Sequence, residues 1–138
     1  MCFICDRIEM IKNGSNPYFV KELETGYVVI GDNQHFYGYT LFLYKNHSKT
    51  ELFQLEISER NKFLEEMSIV AEAVSNAFGA EKMNYELLGN GEAHLHWHLL
   101  REEKVILKTT ATTVQVLYGG IPWRKCIVRV INRLTKTL

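Results

Sequence analysis

Two periodicities divide this chain. In "YFVKELETGYVVIGD", residues 18–32, Val, Ile and Tyr fill two short runs separated at Glu24–Gly26, which suits two half-buried strands joined by a turn. "HFYGYTLFLY", residues 35–44, predicts a third strand. Between residues 57 and 79 the spacing changes: Phe63, Met67, Val70, Val74 and Ala77 recur at three- and four-residue steps, the buried stripe of a helix. Ser58 is its predicted N-cap, Glu59 lies in the first turn where the helix dipole favours negative charge, and Gly79 can end it. Alternation returns in "MNYELLG", residues 83–89, and "HLHWHLLRE", residues 94–102, two more strands linked by a polar loop at Asn90–Glu92. One long helix between hairpin-linked strands predicts an α+β fold rather than repeated βαβ units. No repeat, low-complexity tract or linker interrupts residues 1–138, so a single domain is expected.

The last strand carries the chemistry. His94, His96 and His98, three of the chain's five histidines, would share one face at intervals of roughly 6.6 Å, with Leu95, Trp97 and Leu99 on the other. From the residues alone the imidazole row is a polar strand face or a three-histidine metal site of the catalytic zinc type. The metal reading needs an open coordination position and an acidic base, for which Glu92, Glu102 and Glu103 are nearest.

Composition narrows the partners. Sixteen basic and sixteen acidic residues give a formal net charge of +0, so no global field draws the chain onto nucleic acid or a membrane, and neither is expected as a partner. No apolar run reaches the roughly 18 residues that span a bilayer, and a cytoplasmic location is expected. Three cysteines cannot all pair, which favours reduced thiols. Cys2 and Cys5 have C-x-x-C spacing, which fits either a metal pair or two small buried hydrophobes, and Cys126 reads as one of the latter. Charge is uneven: residues 124–138 hold five Lys or Arg and no acid, leaving −5 on the remainder. There Ile127, Val130, Ile131 and Leu134 share one helical face and Lys125, Arg129 and Arg133 another, although "CIVRVI" is β-branched enough for a strand. Such a tail either docks with its basic face solvated or reaches the histidines and meets a charged leaving group.

The segment His94-Leu95-His96-Trp97-His98-Leu99-Leu100 resembles the signature of the histidine triad family of nucleotide hydrolases and transferases. "CFIC" near the start with Ile8 after it, "GYTLFLYKNH" at residues 38–47, the long helix and then the triad follow the order of bacterial members, so the resemblance covers residues 2 to about 103. It implies an antiparallel sheet with the long helix and a short additional helix, a homodimer pairing two sheets edge to edge, and residues 104–138 as a variable C-terminal extension. It implies a hydrolase acting at the α-phosphate of dinucleoside polyphosphates or nucleoside phosphoramidates, with a nucleotidyltransferase or a non-catalytic nucleotide- or zinc-binding module as alternatives. His96 would be the nucleophile and His98 would stabilise phosphate oxygens. Backbone amides of the loop holding Asn90, Gly91 and Ala93 would bind the phosphate, Asp32 the ribose, and Phe3, Ile4, Ile8 and Ile30 the base. The resemblance further implies one structural zinc per chain, held by Cys2, Cys5, His47 and His94, and no organic cofactor. This chain departs from the family pattern where Tyr39 replaces a usual fourth histidine, where Asn90 stands in a loop lacking the usual Gly-Gln pair, and where "LLRE" replaces a Pro-Arg ending.

Overall fold

The computed structural model describes residues 1–32, 34, 36–102 and 122–136. Helix α1 (Phe3–Lys12) precedes strands β1 (Phe19–Glu22), β2 (Gly26–Ile30) and β3 (Thr40–Tyr44). A short 3₁₀ turn (Leu52–Gln54) leads into α2 (Ile57–Phe78), then β4 (Lys82–Glu86), β5 (His96–Glu102) and, after residues 103–121, α3 (Pro122–Thr135). The strands form one sheet in the order β1-β2-β3-β5-β4, and every neighbouring pair is antiparallel. The α+β expectation holds. Glu103, considered above as an acidic base, lies outside the described residues.

Residue alternation splits the sheet into two faces. Val28, Ile30, Phe42, Trp97 and Leu99 point to one side, where α2 supplies Phe63, Val70 and Val74 and α3 supplies Trp123, Ile127 and Ile131. Tyr27, Val29 and Leu43 point to the other, where α1 covers them with Ile4 and Ile8. Of the helical stripe read from α2, Phe63, Val70 and Val74 are buried as expected and Met67 and Ala77 partly so, and each fully buried large side chain contributes roughly 1.5–3 kcal/mol.

Several boundaries differ from expectation, two of them for reasons visible in the backbone. Helix α2 starts one residue before Ser58: Glu56 is the cap residue, its carbonyl accepting the Arg60 N–H at 2.8 Å, so the Ser58 hydroxyl sits too far along to cap. Gly79, with φ of +62°, ends the helix as predicted. The third strand is also shorter than residues 35–44, because Gly38 adopts φ of +87° and turns the chain just before Thr40. Gln34 holds that turn, donating from Nε2 to the Gly31 and Tyr39 carbonyls and accepting the Gly38 N–H at Oε1.

Candidate functional site

Register brings the histidines beneath α1. Leu43 pairs with His96 and Leu41 with His98, so both imidazoles lie on the α1 face of the sheet, as alternation from the buried Trp97 requires. The strand begins only at His96, and His94 is placed by the bend before it.

Each imidazole is oriented by a specific partner. His96 Nδ1 lies 2.6 Å from the His94 carbonyl; a carbonyl only accepts, so Nδ1 carries the proton and Nε2 keeps its lone pair. His94 Nε2 lies 2.5 Å from the Tyr44 carbonyl, and the same logic leaves its Nδ1 unprotonated. That nitrogen faces two sulfurs, Cys2 Sγ and Cys5 Sγ, each at 3.5 Å, while Cys5 Sγ is 3.2 Å from His47 Nδ1. The four donor atoms all lie within 4.8 Å of one another. Tetrahedral zinc, with bonds of about 2.3 Å to sulfur and 2.0 Å to nitrogen, sets sulfur and nitrogen ligands about 3.5 Å apart, so the donors and their spacing are compatible with that ion. Burial and the neighbouring Cys2 push the Cys5 thiol up to about 11, and a bound dication would reverse this by taking the sulfur as thiolate.

This geometry excludes the three-histidine metal site. His94 turns its free nitrogen to the cysteines, and His96 uses Nδ1 on the backbone. Among the described residues Cys2, Cys5, His47 and His94 are the only cluster of three or more metal-ligating side chains. Glu92 near them is engaged elsewhere: its Oε2 accepts the Phe3 N–H at 3.0 Å at the start of α1, and this bond holds its carboxyl below the usual range.

His98 has a different companion. Its Nδ1 is hydrogen-bonded to the Tyr39 hydroxyl, with the two rings within 7° of parallel. Burial pushes the Tyr39 phenol up to about 12 and, with the neighbouring His96, holds His98 below the ordinary imidazole value. A neutral phenol donating to Nδ1 leaves Nε2–H as the outward donor of His98. Gly31 makes this arrangement possible: a Cβ there would fall 2.5 Å from the Tyr39 ring. The absence of a side chain at residue 31 was the sequence signal for Tyr39, visible only once the two were known to touch.

The remaining expected site residues separate. Ile4 and Ile8 are buried under α1 on the histidine face, Phe3 is exposed at the start of that helix, and Asn90, Gly91 and Ala93 form an exposed loop leading to His94. Asp32 lies at the end of β2 paired to Arg7 of α1 at 2.8 Å, a partner sequence reasoning missed. Ile30 is a correction: it faces α2 in the opposite core, because one step along a strand reverses the face, and Tyr27 and Val29 are the β2 residues on the histidine side. The basic tail takes the first of its two expected placements. Helix α3 packs against α2 and β1 on the face away from the histidines, with Arg124 donating to the Pro17 carbonyl, so it docks and does not reach the triad.

No protein-family model matches the sequence, and no curated protein matches it. Solved structures do. A hypothetical histidine triad nucleotide-binding protein from Sulfolobus tokodaii is 17% identical with a TM-score of 0.71, over 97% of this chain and 96% of that one. A zinc-bound histidine triad family protein from Mycobacterium smegmatis is 16% identical with a TM-score of 0.67, over 99% and 97%. A histidine triad protein from Marinobacter aquaeolei is 17% identical with a TM-score of 0.66, over 84% and 89%.

Proposed function

We propose that this protein, which has the histidine triad fold, is a histidine triad nucleotide hydrolase acting through His96. The observation that carries the reading is the His96 Nδ1–H bond to the His94 carbonyl, which fixes the tautomer with a nucleophilic Nε2. Nε2 attacks the α-phosphorus of a nucleoside 5′-phosphate derivative. The bond from phosphorus to the leaving oxygen or nitrogen breaks, and the leaving group takes a proton from solvent. The nucleotidyl-histidine carries positive charge, which the His94 carbonyl offsets through the Nδ1 proton. His98 Nε2–H donates to a non-bridging phosphate oxygen, with the amides of Gly91 to Ala93 as further donors. Water then cleaves the phosphorus–nitrogen bond and restores neutral His96. Dinucleoside polyphosphates and nucleoside phosphoramidates both fit this chemistry.

Cys2, Cys5, His47 and His94 would hold a zinc. With four protein ligands it is closed and supplies rigidity rather than a reacting position. Its effect reaches the nucleophile through one residue, because His94 offers Nδ1 to the metal cluster and its carbonyl to His96. The exposed edge strand β4, with Tyr85 on its surface, suits pairing with a second copy.

The test is a rapid-quench experiment with an α-³²P-labelled adenosine phosphoramidate. Label should appear on wild-type protein in an acid-labile bond and be absent from His96→Ala. Turnover without labelled enzyme would discard the covalent mechanism. Dependence of turnover on an added phosphate acceptor would make the protein a transferase, and binding without label or turnover would make it a non-catalytic module.

A further inference from the structure

The basic tail did not join the histidine site, and its cations have no acidic partner among the described residues. Along α3, Lys125, Arg129, Arg133 and Lys136 are exposed, and among the described residues none of them forms an ion pair. With Arg124, Asn132, Val128 and Val20 of β1 they line an open cavity of about 670 Å³. Like charges four residues apart weaken a helix, and no acidic residue in α3 relieves them. The helix is held instead by its buried face, Trp123, Ile127, Val130 and Ile131.

We propose that this groove binds the phosphate backbone of a nucleic acid strand. Lys125, Arg129 and Arg133 follow one another at about 6 Å along the helix, with Lys136 a further turn on, so the groove offers a row of cations rather than one pocket. A row matches a polymer carrying a charge on every unit. Arginine forks and lysine points both suit phosphate oxygens, and Asn132 can donate beside them. A membrane surface fits poorly, because the apolar side of α3 is already buried in the core and has nothing to insert. A folded acidic partner would want apolar anchors, and only Val20 and Val128 line the floor. The groove carries no aromatic residue, so binding would follow the backbone without reading bases. The neutral total charge conceals this surface because acids elsewhere in the chain cancel it.

Fluorescence anisotropy with a labelled 20-nucleotide single strand, on the full-length protein, tests the proposal. Binding should weaken steeply with salt, four phosphates giving a slope of log affinity against log salt near −3, at about 0.7 for each phosphate neutralised on single strands. Arg129→Gln with Arg133→Gln should weaken binding at least tenfold at low salt and reduce the slope by about 1.4, with phosphoramidate hydrolysis and melting temperature unchanged. Inorganic polyphosphate is the competing occupant: a nucleic acid site should resist it at equal phosphate concentration, and full displacement there would overturn the proposal in favour of an unspecific polyanion site. The proposal is overturned by undiminished binding in the double variant, by equal displacement with poly-glutamate, or by a change of oligomeric state in the variant, which would assign the groove to a second copy.

Discussion

On one face of the sheet Phe42, Leu99 and Ile30 meet Phe63, Val74 and Ile127, all at or near zero exposure. On the other, α1 covers Tyr27, Val29 and Leu43 with only two buried side chains of its own, and beside them His94, His96 and His98 are aimed by single bonds to Tyr44, to the His94 carbonyl and to Tyr39. The first face is stabilised by area, which is non-directional and spread over many residues. The second depends on directional bonds, each of which sets one atom. Damage to the packed face should lower stability and spare chemistry, and damage to the histidine face should do the reverse.

His96→Ala should break the histidine face most sharply. Steady-state turnover of a phosphoramidate is expected to fall at least about a thousandfold, as removal of a covalent nucleophile does, with nucleotide binding kept within about tenfold. A variant retaining more than a few per cent of wild-type turnover would remove His96 from the nucleophile's role. The matching change on the packed face is Phe63→Ala. It should cost about 3–5 kcal/mol by denaturant unfolding, with turnover per folded molecule unaltered. A large loss of turnover in the folded fraction would show that the two faces are coupled through the strands.

Removing metal tests the one part of the histidine face that should carry stability as well as orientation. Purified protein should carry close to one zinc per chain, and stripping it with a chelator should lower the melting temperature by several degrees, with a smaller proportional loss of turnover, because a closed four-ligand zinc contributes folding free energy. An unchanged melting temperature would return Cys2 and Cys5 to the role of small buried hydrophobes. Some loss of turnover is still expected, since His94 links the cluster to His96.

The packed face was legible in the sequence because period-two and three-to-four-residue patterns report burial directly: Phe63, Val70 and Val74, the succession of strands around the long helix and the tail's apolar stripe could all be read. The triad was legible because three alternating histidines are rare and their alternation forces a shared face. Tertiary bonds were not. Glu92 capping α1, Arg7 holding Asp32, and the Tyr44 carbonyl orienting His94 join positions up to 89 residues apart with no local pattern to announce them. Ile30 was misplaced for a different reason. In β2 every residue is buried, so the alternation that assigns faces elsewhere is invisible there.

The smallest expected effect distinguishes orientation from packing within the histidine face itself. Tyr39→Phe keeps the ring that Gly31 accommodates and deletes only the hydroxyl bonded to His98 Nδ1. A hydrogen bond of this kind contributes about 0.5–1.5 kcal/mol net, so kcat should fall roughly threefold to tenfold where the bond serves to aim the ring, with KM nearly unchanged and the melting temperature lowered by a few degrees. The pH behaviour separates this from a change in charge. His98 is held below its ordinary value of about 6.5 chiefly by burial, which the substitution leaves in place, so by NMR it should still titrate below 6.5 in the variant. Because the folded value is lowered, the unfolded chain binds more protons between the two values, and His98 should make the fold less stable as pH falls through about 6.5, in wild type and variant alike. On the alkaline side Tyr39 stays protonated up to about 12, so its ionisation should produce no loss of turnover between pH 8 and about 10. An unchanged kcat would mean that packing alone orients His98. A His98 titration moved to or above 6.5, with kcat falling in step, would mean that the phenol acts by tuning charge rather than by aiming the ring.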